Sequence, residues 1–131
     1  MARKKEGSQL TPLELDIMQI LWDRGPSTVQ EIRDRLGKEL AYNTVQTMLN
    51  LLVKKGKADR TLKEKAYQYH STVNQQSALR QLMDDLVHRV FGGSAENLVM
   101  SLVETDHLSP EKLAHLTELV NRKRNSDDQS N

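Results

Sequence analysis

The spacing of apolar residues switches from a period of about 3.6 to a period of two and back again, and each switch marks a boundary between elements. Between Asn43 and Gly56, Val45, Met48, Leu49 and Leu52 recur at i, i+3, i+4 and i+7, which makes one face of a helix. Upstream, Leu13, Ile17, Ile20 and Leu21 predict another. Its start is Leu10-Thr11-Pro12-Leu13-Glu14, with Thr11 as N-cap, Pro12 at the first helical position, Glu14 closing a capping box and Leu10 stapled to Leu15. Trp22 reads as a core plug, and Arg24-Gly25-Pro26 ends the helix. Ser27-Thr28 predicts a brief strand. Thr28 and Glu31 form a second capping box, opening a helix with Val29, Ile32 and Leu36 inward that stops at Gly37. Lys38 to Tyr42 is the turn into the Asn43–Gly56 helix.

After Gly56 the period becomes two. Residues 58–62 and 66–71 are strands around Lys63-Glu64-Lys65, with Tyr67 and Tyr69 alternating with Ala66, Gln68 and His70. From Val73 the helical period returns. Leu79, Leu82, Met83, Leu86, Val87 and Val90 form a long stripe ending at Phe91 and the Gly92-Gly93 break. Ser94 caps a helix with Leu98, Val99, Leu102 and Val103 on one side. Ser109-Pro110-Glu111 opens another with Leu113, Leu116 and Val120 inward.

Three short helices followed by a charged-tip hairpin make a winged helix-turn-helix. The fold expected is mostly α with a small β-hairpin wing (α+β). It comprises a flexible basic arm (1–9), the winged helix (10–72), a helical module (73–124) and a disordered polar tail (125–131). Three amphipathic helices in about fifty residues bury too little surface to stand alone. A second copy is the simplest remedy, so a homodimer is expected through Leu79, Leu82, Met83, Leu86, Val87, Val90, Leu98, Leu102, Leu113 and Leu116. The alternative is that these helices pack back on their own N-terminal module.

Composition narrows the chemistry. The chain has no cysteine, which excludes disulfides, thiolate metal sites and Cys nucleophiles. Aromatics are 4% of residues, too few for a platform on which single-stranded bases stack. With no membrane-length apolar run and no apolar leader, a cytoplasmic location is expected. The net charge of +1 conceals an asymmetry. Residues 1–72 hold thirteen Lys/Arg against nine Asp/Glu, and residues 73–131 hold six against nine, so only the front half suits a polyanion.

Stepping about 100° per residue from Val45 puts Asn43, Thr47, Asn50 and Lys54 opposite the apolar stripe. No carboxylate lies between Asn43 and Gly56. Amides read base edges, Thr offers a methyl and a hydroxyl, Lys meets phosphate, and a carboxylate would be repelled. The expected duplex-DNA contacts are Asn43, Thr44, Gln46, Thr47, Asn50 and Lys54, with Lys63 and Lys65 at the wing tip. A solvated helix that happens to lack acids is the plainer reading of the same face.

Several segments together resemble the BlaI/MecI family of bacterial repressors over roughly residues 8–122. They are Leu10-Thr11-Pro12-Leu13-Glu14-Leu15-Asp16-Ile17-Met18, Asn43-Thr44-Val45-Gln46-Thr47-Met48-Leu49, Lys54-Lys55-Gly56, Tyr67-Gln68-Tyr69, and Phe91-Gly92-Gly93 through Leu98-Val99. The resemblance implies a winged-helix homodimer that represses transcription from a palindromic operator, with Thr44 and Thr47 on the DNA. It also implies a membrane-bound sensor metallopeptidase that relieves repression by cleaving in the dimerisation helices. The corresponding bond here is Ser101-Leu102, and neither residue matches the family's Asn-Phe. Leu51 is a second departure, standing where relatives often carry Arg. The copper-responsive mode of some relatives needs cysteines, which this chain lacks.

Two other classes compete. A winged-helix protein-interaction module without DNA binding would share the fold. An enzyme finds little support: Asp84-Asp85 and Asp127-Asp128 are adjacent pairs that diverge on a helix, and His70, His88, His107 and His115 are scattered. His88 and Asp84 at i, i+4 read as a surface pair, and no phosphate loop or nucleophile motif appears. No catalytic residue, metal, cofactor or small-molecule ligand is assigned.

Overall fold

The computed structural model describes residues 10–129, so the N-terminal arm lies outside the described residues. The chain order is α1 (Pro12–Arg24), α2 (Val29–Arg35), α3 (Tyr42–Lys54), β1 (Ala58–Lys63), β2 (Ala66–Ser71), α4 (Gln75–Arg89), α5 (Ala95–Glu104) and α6 (Pro110–Gln129). This is an α+β winged helix followed by further helices. It divides into two compact units between Met83 and Asp84, inside α4 rather than at residue 72.

In the first unit, local chemistry sets the helix starts. Thr11 Oγ1 accepts the Glu14 amide at 3.2 Å, and Glu14 Oε1 accepts the Thr11 amide at 2.8 Å. Thr28 and Glu31 repeat the exchange at 3.2 and 2.9 Å. Each cap is worth about 1 kcal/mol. The end of α3 is a Schellman closure: Gly56 N–H donates to Val53 O, and Lys57 N–H to Leu52 O. Gly56 sits at φ +78°, where a side chain would be strained. That turn sends the chain directly into β1.

The core is Ile17, Met18, Leu21, Val29, Ile32, Val45, Leu49, Leu52, Ala58 and Tyr69. The buried face of α1 is therefore turned slightly from the expected stripe: Met18 and Glu14 are inside, while Leu13 and Ile20 are half-buried at its margin. Met48, expected inward on α3, is likewise half-buried. Trp22 is partly buried, and its indole N–H donates to Ser71 Oγ and Val73 O, both at 3.0 Å. The expected strand at Ser27-Thr28 is a single bridge, Ser27 to Tyr69, with backbone hydrogen bonds of 2.9 and 2.8 Å.

β1 and β2 pair antiparallel with Leu62 opposite Tyr67 and Arg60 opposite Tyr69. β1 runs one residue further than expected, so Lys63 belongs to the strand and the turn is Glu64-Lys65 alone. Both turn residues have positive φ, +50° and +73°, as a two-residue turn matching the hairpin's right-handed twist requires. The start of α4 joins this unit: Ala78 is buried, and Lys57 Nζ donates to Gln81 Oε1 at 3.0 Å.

In the second unit, Ser94 caps α5 through the Asn97 amide at 3.1 Å, and Ser109 caps α6 through the Lys112 amide at 3.1 Å. No side chain of this unit is fully buried among the described residues. Leu98, Val99, Leu102, Val103 and Leu113 are half-buried, but Leu116 and Val120, expected inward, are exposed. Their face of α6 has no apolar surface within the unit to cover it. The helix also continues through Asn125 to Gln129, where a disordered tail was expected; residues 130–131 lie outside the described part. Among the described residues, no helix is long and apolar enough to cross a membrane.

Candidate nucleic-acid interface

Helix α3 packs Val45, Leu49 and Leu52 into the core, which turns Asn43, Thr44, Thr47, Asn50, Leu51 and Lys54 outward. Six of the eight expected contacts are therefore exposed on α3 or the wing with no complication: Asn43, Thr44, Thr47, Lys54, Lys63 and Lys65. The other two differ. Gln46 is half-buried in a cleft shared with Thr28, Gln30, Tyr42, Lys65 and Tyr67. Asn50 is exposed, but its Oδ1 already accepts the Tyr69 hydroxyl at 2.9 Å and Arg60 Nη1 at 3.4 Å. Only its amide hydrogens are left to meet a base edge.

The start of α3 differs from those of α1 and α2. Its N-cap is Ala41, which supplies no side-chain acceptor, and no acid lies in the first turn. The Thr44 amide donates to Ala41 O at 3.1 Å, and the Tyr42 and Asn43 amides, at the positive end of the helix dipole, stay open to an anion.

The wing meets α3 through Tyr69 and Arg60. Tyr69 is fully buried, bridged to Ser27 on one side and Asn50 on the other. Strand alternation puts Arg60 and Leu62 on the face shared by Tyr67 and Tyr69, and Asp59, Thr61 and Lys63 on the other. The Arg60 guanidinium lies 4.2 Å from the centre of the Tyr67 ring, a cation–π arrangement. The Tyr69 hydroxyl beside it raises the Arg60 pKa above its ordinary value. Arg60 is thus a fixed, exposed cation beside Asn50 and Lys54, and the sequence reading missed it. Its signal was parity: it keeps step with Leu62, and across the hairpin with Tyr67 and Tyr69.

Elsewhere, the His88 ring nitrogen Nδ1 meets the Asp84 backbone carbonyl at 2.8 Å, a contact within one helix turn that does not involve the Asp84 carboxylate. Ser101 and Leu102 lie inside α5, half-buried, and the Ser101 carbonyl accepts the Thr105 amide at 3.0 Å.

Residues 10–122 match the family model described as penicillinase repressor. The chain is 26% identical over 117 residues to the methicillin resistance regulatory protein MecI of Staphylococcus aureus strain N315, covering 88% of this chain and 95% of that one. It is 24% identical over 123 residues to the penicillinase repressor of Bacillus licheniformis, covering 92% and 96%. Its fold is similar to the crystal structure of YusO from Bacillus subtilis, with a TM-score of 0.53 at 19% identity, over 94% of this chain and 80% of that one.

Proposed function

The chain belongs to the penicillinase repressor family, DNA-binding transcriptional repressors and not enzymes, and from that premise we propose that it acts as a homodimer on a palindromic operator. Helix α3 enters the major groove, with Asn43, Thr44 and Thr47 facing base edges. Lys54 and the wing cations Arg60, Lys63 and Lys65 meet the flanking phosphates. The observation that carries this reading is the outward face of α3, which lacks acids along its whole length and adjoins a fixed arginine.

The second copy is supported by the helices that follow. Leu79 is 55% exposed, Val90 64% and Val120 54%, and Met83, Leu86, Met100, Leu116 and Leu119 are exposed as well. So much apolar area is out of place on a monomer, and a two-fold partner would cover it with the same surface. Relief of repression by a membrane-bound sensor metallopeptidase is part of the proposal. Because Ser101-Leu102 lies within a regular helix, a protease would have to wait for α5 to open locally.

The test is binding of the full chain to duplex DNA selected from a random pool, followed by fluorescence anisotropy across salt concentrations. A dimer in sedimentation equilibrium, a palindromic selected site and a log K that falls steeply with log salt are expected. Thr47→Glu should abolish the gel shift. An intact shift by that variant, or a monomer at micromolar concentration, would overturn the groove assignment or the dimer respectively.

A further inference from the structure

Leu51 is the one large apolar side chain exposed on the outward face of α3 beyond its first residue, at 40% exposure. It lies one turn beyond Thr47 and one turn before Lys54, so the three line up along the helix. Together with Asn50, Val53 and Arg60 they line a shallow depression between α3 and β1. Its lining is cationic through Lys54 and Arg60 and aliphatic through Leu51 and Val53. We propose that Leu51, with the Thr47 methyl beside it, reads the C5-methyl group of a thymine in the major groove. This rests on the DNA-binding reading above and adds a specificity determinant to it.

The occupant follows from the surroundings. A lining with two cations and no carboxylate draws phosphate-bearing polymer to the depression. Of the groups a base pair shows in the major groove, only the thymine methyl is apolar, and aliphatic or Thr side chains are its usual partners. A lone leucine among amides, hydroxyls and cations is too small an apolar surface to anchor a protein partner, whose core contacts are large and clustered. A polar base edge in the same place would leave its donor or acceptor facing the isobutyl group, so Leu51 also rejects guanine and cytosine there.

The experiment uses the highest-affinity duplex that the full chain selects from a random pool. Each thymine in the footprint is replaced singly by deoxyuridine, which removes only the methyl group. At one thymine per half-site, Kd should weaken about fourfold, since burying a methyl is worth about 0.8 kcal/mol at 1.4 kcal/mol per tenfold. Leu51→Ala should bind the thymine duplex more weakly and be nearly indifferent to uracil at that position, while keeping its sensitivity elsewhere. A general loss of helix stability would not produce that coupling. If the chain selects no duplex at all, the DNA-binding reading falls. If it selects one but tolerates uracil at every thymine, or if Leu51→Ala keeps full methyl sensitivity, the methyl-reading role of Leu51 is overturned while DNA binding stands.

Discussion

The hydroxyl of Tyr69 donates a 2.9 Å hydrogen bond to Oδ1 of Asn50, tying the second strand of the wing to the outward face of α3. Asn50 is therefore first a positioning residue for the wing. Asn50→Ala should lower stability by about 1–3 kcal/mol, because the hydroxyl of the fully buried Tyr69 loses its acceptor. It should also weaken DNA binding by freeing Arg60 and the wing. Asn50→Asp separates the two effects. The carboxylate still accepts from Tyr69 and Arg60, so urea unfolding should match or exceed the parent. DNA affinity should nevertheless collapse, because a negative charge now faces phosphate. An Asn50→Asp variant that binds DNA normally would take Asn50 off the interface.

The wing tip offers a second separation of fold from function. Glu64 and Lys65 both sit at positive φ, where Asn-Gly is preferred and other residues are strained by roughly 1–2 kcal/mol each. Replacing them with Asn and Gly should stabilise the chain by about 1 kcal/mol, after the entropy lost by adding a glycine. The same change removes the Lys65 amine. If that amine meets a phosphate, the slope of log K against log salt should shrink by about one. A stabilised variant with an unchanged slope would mean that Lys65 is only a solvated tip residue.

What could be read in advance was whatever depends on neighbours in sequence. Both capping boxes, the hairpin's alternation and the amphipathic helices are local patterns, and the winged helix follows from their order. What depended on tertiary placement was not legible. Glu14 looked like a capping residue alone, but the fold buries it and brings Lys55 from forty-one residues away to 2.7 Å. Gln46 and Thr47 are neighbours on the same helix, yet the wing half-covers the first and leaves the second open. Arg60 became a candidate only once the hairpin register paired it with Tyr69. In the second unit the apolar stripes were plain, but periodicity does not say whether a face is covered, and Leu116 and Val120 are bare.

The Glu14–Lys55 pair yields a stability prediction. Glu14 is 1% exposed, while the Lys55 side chain retains 19% of its surface. Lys55→Met should strand a buried carboxylate and cost about 3 kcal/mol, at the low end for a broken buried pair because the carboxylate keeps the Thr11 amide. Adding Glu14→Gln should restore most of that loss, since glutamine still closes the capping box and no charge is left uncompensated. Urea unfolding of the two single variants and the double closes the cycle. Losses that simply add would mean the pair is not coupled.

Glu31 supplies the pH dependence. Its pKa is lowered from the ordinary 4.5, chiefly by the hydrogen bond it accepts from the Thr28 backbone amide, with the Arg24 charge adding to the shift. The folded state therefore holds the Glu31 proton less tightly than the unfolded chain does. In the window between the lowered folded value and 4.5, the unfolded state binds more proton, so stability rises with pH there. The contribution is fully present above 4.5 and disappears as the pH falls through the folded value. Glu31→Gln keeps the capping-box geometry but removes the titration. The parent should have a higher urea midpoint than this variant at neutral pH, and the gap should close on acidification below 4.5. Because the comparison is a difference between two nearly identical chains, the other carboxylates cancel. A gap that stays constant from neutral pH to well below the ordinary carboxylate range would show that the charge of Glu31 contributes nothing, and that the cap works through the hydrogen bond alone.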